Sequence, residues 1–119
     1  MSSSPLIQVS FTNRFEKDIR RLAKCYRKIR LDIQPLIQSL EAGELQGDQI
    51  PDLEQTVFKV RVQNGDIQKG KSGGYRVIYY LKTDAQILLI TVYSKSDRSD
   101  IPTIEIREIL NRVEDDLNG

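Results

Sequence analysis

Between positions 58 and 80 the chain reads FKVRVQNGDIQKGKSGGYRVIYY, two strand-like runs joined by a basic, glycine-rich link. In the run 57–62, VFKVRV, the pleat sends Phe58, Val60 and Val62 to one face and Lys59 and Arg61 to the other. Behind the glycine pair, Tyr75-Arg76-Val77-Ile78-Tyr79-Tyr80 is aromatic and β-branched, which also reads as a strand. Gly65, Gly70, Lys71 and Ser72 satisfy the phosphate-loop formula letter for letter. That loop needs a helix directly after its lysine, because helix N-terminal amides hold the phosphates, and here a strand follows instead. The later apolar run 87–92 also lacks the terminal acid that would hold magnesium. Nucleotide binding is therefore set aside.

Charge is the next constraint. If the two strands pair antiparallel through the link, Arg76 comes beside Lys59 and Arg61, with Lys69 and Lys71 at the hairpin end. Residues 57–82 carry six basic side chains against the single acid Asp66, a balance suited to a polyanion. The net charge of the whole chain is only +1, which hides strong segregation. Residues 13–32 hold eight basic residues and three acids, and residues 96–119 hold seven acids and three arginines.

Two scarcities remove most familiar chemistry. The 119 residues include one cysteine, Cys25, and no histidine. Zinc sites need several Cys or His ligands, and Ser-His or Cys-His pairs need an imidazole. Catalysis by this chain must use Lys, Arg, Tyr, Asp, Glu or backbone amides. The length fits one domain. The first residues lack the pattern of a signal peptide, no apolar run approaches membrane-spanning length, and a reducing cytoplasm is the expected setting.

Taken in order, residues 1–5 read as a disordered tail and residues 6–119 as the domain. Residues 6–11 alternate as a first strand with Ile7, Val9 and Phe11 inward. Asn13 with Glu16 has capping-box form, and Phe15, Ile19, Leu22, Tyr26 and Ile29 recur at helical spacing. The stripe Ile33, Leu36, Ile37 and Leu40 gives a second helix or a bend, with Pro35 expected near a helix start and the end near Gly43. Residues 41–55 read as a surface link. Strands follow at 56–62, 75–82 and 87–93, joined by short turns that favour an antiparallel meander. Pro102 then opens a final helix carrying Ile106, Ile109, Leu110, Val113 and Leu117. The expectation is an α+β single domain with an antiparallel sheet, in the order strand-helix-helix-strand-strand-strand-helix.

VFKVRV, then GKSGGYRVIYY at 70–80, then LITVYSK at 89–95 with Ser99-Asp100-Ile101, resemble the RelE/ParE superfamily of bacterial toxins, most closely its RelE-like and HigB-like members. The resemblance implies a toxin of a type II toxin–antitoxin system, silenced by a cognate antitoxin protein. It implies an endoribonuclease that cuts messenger RNA on the ribosome without metal or cofactor, by attack of the ribose 2′-hydroxyl on the adjacent phosphate. It also leaves two alternatives, a ParE-like inhibitor of DNA gyrase and a catalytically silent module that binds RNA or antitoxin.

Such a cleavage needs a base, cations for the growing phosphorane charge and an acid for the leaving 5′-oxygen. By position, the resemblance makes Lys59 the candidate base and Arg61 and Arg76 the charge-stabilising pair, since guanidinium makes fixed bidentate phosphate contacts. Tyr93 and Lys95 are candidates for the acid or for stacking. Lys69, Lys71 and Tyr80 are the candidate RNA contacts, although Tyr79 and Tyr80 also suit a core. Where some RelE members carry an arginine after the matching lysine and a tyrosine at the start of the last helix, this chain has Ser96 and Pro102. Either Tyr93 or Tyr80 then substitutes, or activity is weakened.

Overall fold

Thr12, not Asn13, begins the first helix. Its Oγ1 accepts from the Phe15 amide at 2.9 Å, as an N-cap does, and donates to the Ile90 carbonyl at 2.8 Å. The cap thus also ties the helix to the sheet, a demand on position 12 that a capping-box pattern does not register. The computed structural model of the chain describes residues 6–65 and 74–118, with side chains as far as residue 113. Helix α1 runs Asn13–Ala23 and α2 runs Ile29–Glu41, with Tyr26 in the turn between them. Pro35 lies inside α2 rather than near its start, on an exposed face. The helix ends as the sequence suggests: Gly43 has φ +89°, its amide donates to Leu40 and that of Glu44 to Ser39.

The strands are β1 (Gln8–Phe11), β2 (Asp48–Gln49), β3 (Val57–Val62), β4 (Tyr75–Thr83) and β5 (Gln86–Ser94), and the final helix is α3 (Thr103–Asn118). Among the described residues they form one α+β domain with three helices and a five-stranded sheet ordered β1-β5-β4-β3-β2. Two features differ from expectation. The sheet is mixed, because β1 pairs parallel to β5, and β2 adds a short strand in the stretch read as a link. Short turns reveal only how consecutive strands pair; β1 and β5 are separated by the rest of the domain, which serves as the crossover that parallel pairing needs. β2 has two residues and no apolar alternation, so no periodicity marks it.

Each sheet face has its own core. Val60, Val62, Tyr75, Val77, Tyr79, Ile87, Leu89 and Val92 pack against Phe15, Ile19 and Leu22 of α1 and Ile29, Ile33, Leu36 and Leu40 of α2. On the other face Val57, Ile78, Ile90 and Tyr93 pack against Ile106, Ile109 and Leu110 of α3, while Leu117 lies outside the described side chains. Phe11 is not inward: it is 44% exposed and stacks on Phe15 with ring centres 5.5 Å apart. Tyr79 is fully buried, and its hydroxyl exchanges hydrogen bonds with the Gln46 amide and carbonyl, pinning the link to the sheet.

Gly74 opens β4 at φ +95°, and a Cβ there would stand 2.6 Å from the Val62 carbonyl oxygen. Gly74→Ala is expected to cost on the order of 2 kcal/mol, combining left-handed strain with that clash. Urea unfolding checks it, and an unchanged midpoint would contradict the account.

Candidate functional site

The antiparallel register decides which cations meet. Arg61 pairs with Arg76, and Arg76 pairs with Tyr93, giving one rung across β3, β4 and β5. Lys59 pairs with Ile78, one pleat further along the same face. Val57 and Ile78, on that face, belong to the α3 core, so the cations share the α3 side of the sheet. Directly opposed side chains have Cβ atoms about 5 Å apart, and like charges so placed oppose folding. Neither Arg61 nor Arg76 has a carboxylate partner among the described residues; Arg76 donates only to the Tyr75 carbonyl, at 3.3 Å. Two arginines at opposed register positions, neither paired with a carboxylate among the described residues, have the chemistry to bind an anion.

The other candidates stand as follows. Lys59 Nζ donates to Asp100 Oδ1 at 3.1 Å. Tyr93 is buried at 4% exposure; its hydroxyl donates to the same Asp100 oxygen at 3.4 Å, and the Arg98 guanidinium lies 5.7 Å from its ring centre. Lys95 Nζ donates to the Ser99 carbonyl at 2.6 Å, within the turn beyond β5. Tyr80 is half-buried against the α3 core, two positions along β4 from Ile78. Lys69 and Lys71 lie outside the described residues.

Five residues that organise this region were not singled out for a functional role from the sequence. Asp100 accepts from Lys59, Tyr93 and, at 2.8 Å, the Ile101 amide. The Ile101 amide first, and then Lys59, hold its carboxyl below the usual range. Arg98 grips Glu105 through two hydrogen bonds, and Arg14 joins the same carboxylate at 2.9 Å. Glu105 is likewise held low, chiefly by Arg98. Asp18, 4% exposed, accepts from Thr91 Oγ1, the Val92 amide, Arg14 and Arg21. A signal for Asp18 was present: an acid three residues after Phe15 and four before Leu22 sits on the buried stripe of α1.

Asp18 matters because β5 is irregular there. Ile78 pairs with Thr91 but Tyr79 with Leu89, which leaves one extra residue in β5. Thr91 and Val92 both meet the α1 side, through Asp18 and the core, and Tyr93 then turns to the face of Arg76.

Burial pushes the Tyr93 phenol up to about 12, with the Asp100 charge and hydrogen bond adding to it. In an unfolded chain a tyrosine ionises near about 10. Between those values the unfolded chain gives up this proton while the native protein keeps it. The stabilisation is thus complete below about pH 10 and is lost as pH rises toward about 12. Melting temperature should therefore fall more steeply above pH 10 for the wild type than for Tyr93→Phe, and parallel curves would contradict this.

Among the described residues no group of three His, Cys, Asp or Glu side chains could hold a metal ion, and no helix is long and apolar enough to cross a membrane. No curated protein and no solved structure matches the chain. A family model described as the RelE toxin of the RelE/RelB toxin–antitoxin system matches residues 15–115, which include β3, β4, β5 and the turn that carries Asp100. A match over that much of the chain has a cognate antitoxin as its corollary, and with it the chain belongs to the RelE toxin family, as the toxin half of such a pair.

Proposed function

We propose that this toxin is a cytoplasmic endoribonuclease that stops translation by cutting messenger RNA on the ribosome. The reaction is attack of the 2′-hydroxyl on the neighbouring phosphorus, with a cyclic phosphate left on one product and a free 5′-oxygen on the other. The observation that carries this reading is the opposition of Arg61 and Arg76 with no carboxylate to neutralise them among the described residues. Those guanidinium groups would bind the non-bridging oxygens as phosphorane charge grows. Tyr93, which keeps its proton at neutral pH, would donate to the leaving 5′-oxygen, with Lys95 beside it. Lys59 is the base in this scheme: after its bond to Asp100 opens, its Nζ must also give up a proton to water before it can take one from the 2′-hydroxyl, because an ammonium has no lone pair to accept with. Lys69, Lys71 and Tyr80 would guide the RNA strand.

The test is induced expression of wild type and Arg76→Ala, followed by mapping of transcript 5′-ends. Growth arrest with new in-frame ends for the wild type alone supports the proposal. Arrest without new ends would overturn it, and a supercoiling assay would then ask whether gyrase is the target.

A further inference from the structure

Asp100 Oδ1 is an unusual oxygen. It takes hydrogen bonds from the Ile101 amide at 2.8 Å, the Lys59 ammonium at 3.1 Å and the Tyr93 hydroxyl at 3.4 Å. Three donors converging on one oxygen is how a protein holds one oxygen of an anion, and here the anion belongs to the chain itself. Arg76 stands across the ladder from Tyr93. A phosphodiester drawn to Arg61 and Arg76 therefore meets Lys59 already engaged and a carboxylate of its own sign beside it.

The carboxylate is held there by construction. Lys95 Nζ clamps the Ser99 carbonyl, Arg98 Nε donates to the Asp100 carbonyl at 3.1 Å, and Arg98 is fixed in turn by Glu105. The contact is also easy to open. The side chains of Lys59 and Asp100 are 36% and 64% exposed, and ion pairs in that setting contribute little. An occupant that is well placed and weakly held is suited to exchange with a ligand.

We infer that Asp100 is a resident competitor: its carboxylate fills the subsite for one phosphate oxygen of single-stranded RNA, formed by Lys59, Tyr93 and the Ile101 amide, and must leave when RNA binds. The inference rests on the reading of the cationic face as an RNA site, but not on cleavage. In the free toxin, Lys59 is neutralised and the site partly closed.

The experiment measures the affinity of the full chain for a 2′-O-methyl RNA oligonucleotide, which binds but lacks the attacking hydroxyl. Asp100→Asn keeps an acceptor for the Ile101 amide and removes the charge, whereas Asp97→Asn makes the same charge change three residues away on an exposed side chain. Relieving one like-charge contact near 4 Å predicts about fivefold tighter binding for Asp100→Asn, with Asp97→Asn within about twofold of wild type. In a Lys59→Gln background, Asp100→Asn should gain no more than Asp97→Asn does. Binding by Asp100→Asn that equals or falls below that of Asp97→Asn overturns the inference, as does a full gain without Lys59. RNA that is bound but, as unmodified RNA, never cut defeats the nuclease reading alone. Failure of every form to bind RNA defeats both.

Discussion

Arg76→Ala is expected to slow cleavage of ribosome-bound messenger RNA by about two to three orders of magnitude, the usual loss when one preorganised donor to transition-state charge is removed. The fold should survive. Among the described residues Arg76 makes one hydrogen bond, to the neighbouring Tyr75 carbonyl, and it directly opposes Arg61. Alanine removes that like-charge opposition, so stability should be unchanged or slightly higher. Loss of activity with a preserved urea midpoint separates a chemical role from a structural one. Single-turnover cleavage rates for the purified proteins supply the first number and unfolding curves the second. A decrease of less than about tenfold would place the phosphate elsewhere.

Asp18→Ala is expected to have the largest effect on stability, about 2–5 kcal/mol, because two buried donors lose their acceptor while the arginines it pairs with stay in reach of water. Its carboxylate is 4% exposed and serves four donors. Alanine would leave the Thr91 hydroxyl and the Val92 amide buried without their acceptor. The damage should reach the site, since both donors lie where the extra residue in β5 turns Tyr93 toward Arg76. Asp18→Asn retains an acceptor and should cost less. Urea unfolding of the two variants checks the order, and equal midpoints for wild type and Asp18→Ala would contradict it.

The alternation of VFKVRV and the aromatic run beginning at Tyr75 were enough to identify β3 and β4, because apolar side chains at every second position share a face in a strand and are scattered around a helix. Once those strands pair through the link, Lys59, Arg61 and Arg76 share one face, so the cationic half of the candidate site was legible. The acidic half was not. Asp100 lies in a polar turn after β5, where Ser, Asp and Lys carry no periodicity, and its partner Lys59 is 41 residues away. Its role depends on tertiary placement alone. The same holds for β2, found only through pairing with Phe58 and Lys59, and for the parallel pairing of β1 with β5. Thr12 was missed for a different reason. Two adjacent residues both suited a cap, and the choice fell to the one whose hydroxyl also reaches the Ile90 carbonyl.

The most direct test of the cationic rung as a nuclease site is the chemistry of the product ends. Ribosome-bound messenger RNA is cleaved by the purified toxin after the toxin has been treated with chelator, in magnesium sufficient only to keep the ribosomes assembled, and the new 3′ ends are analysed. The account predicts 2′,3′-cyclic phosphate ends from the wild type and almost none from Arg76→Ala. Ends bearing a free 3′-hydroxyl, or the same yield from both proteins, would contradict it.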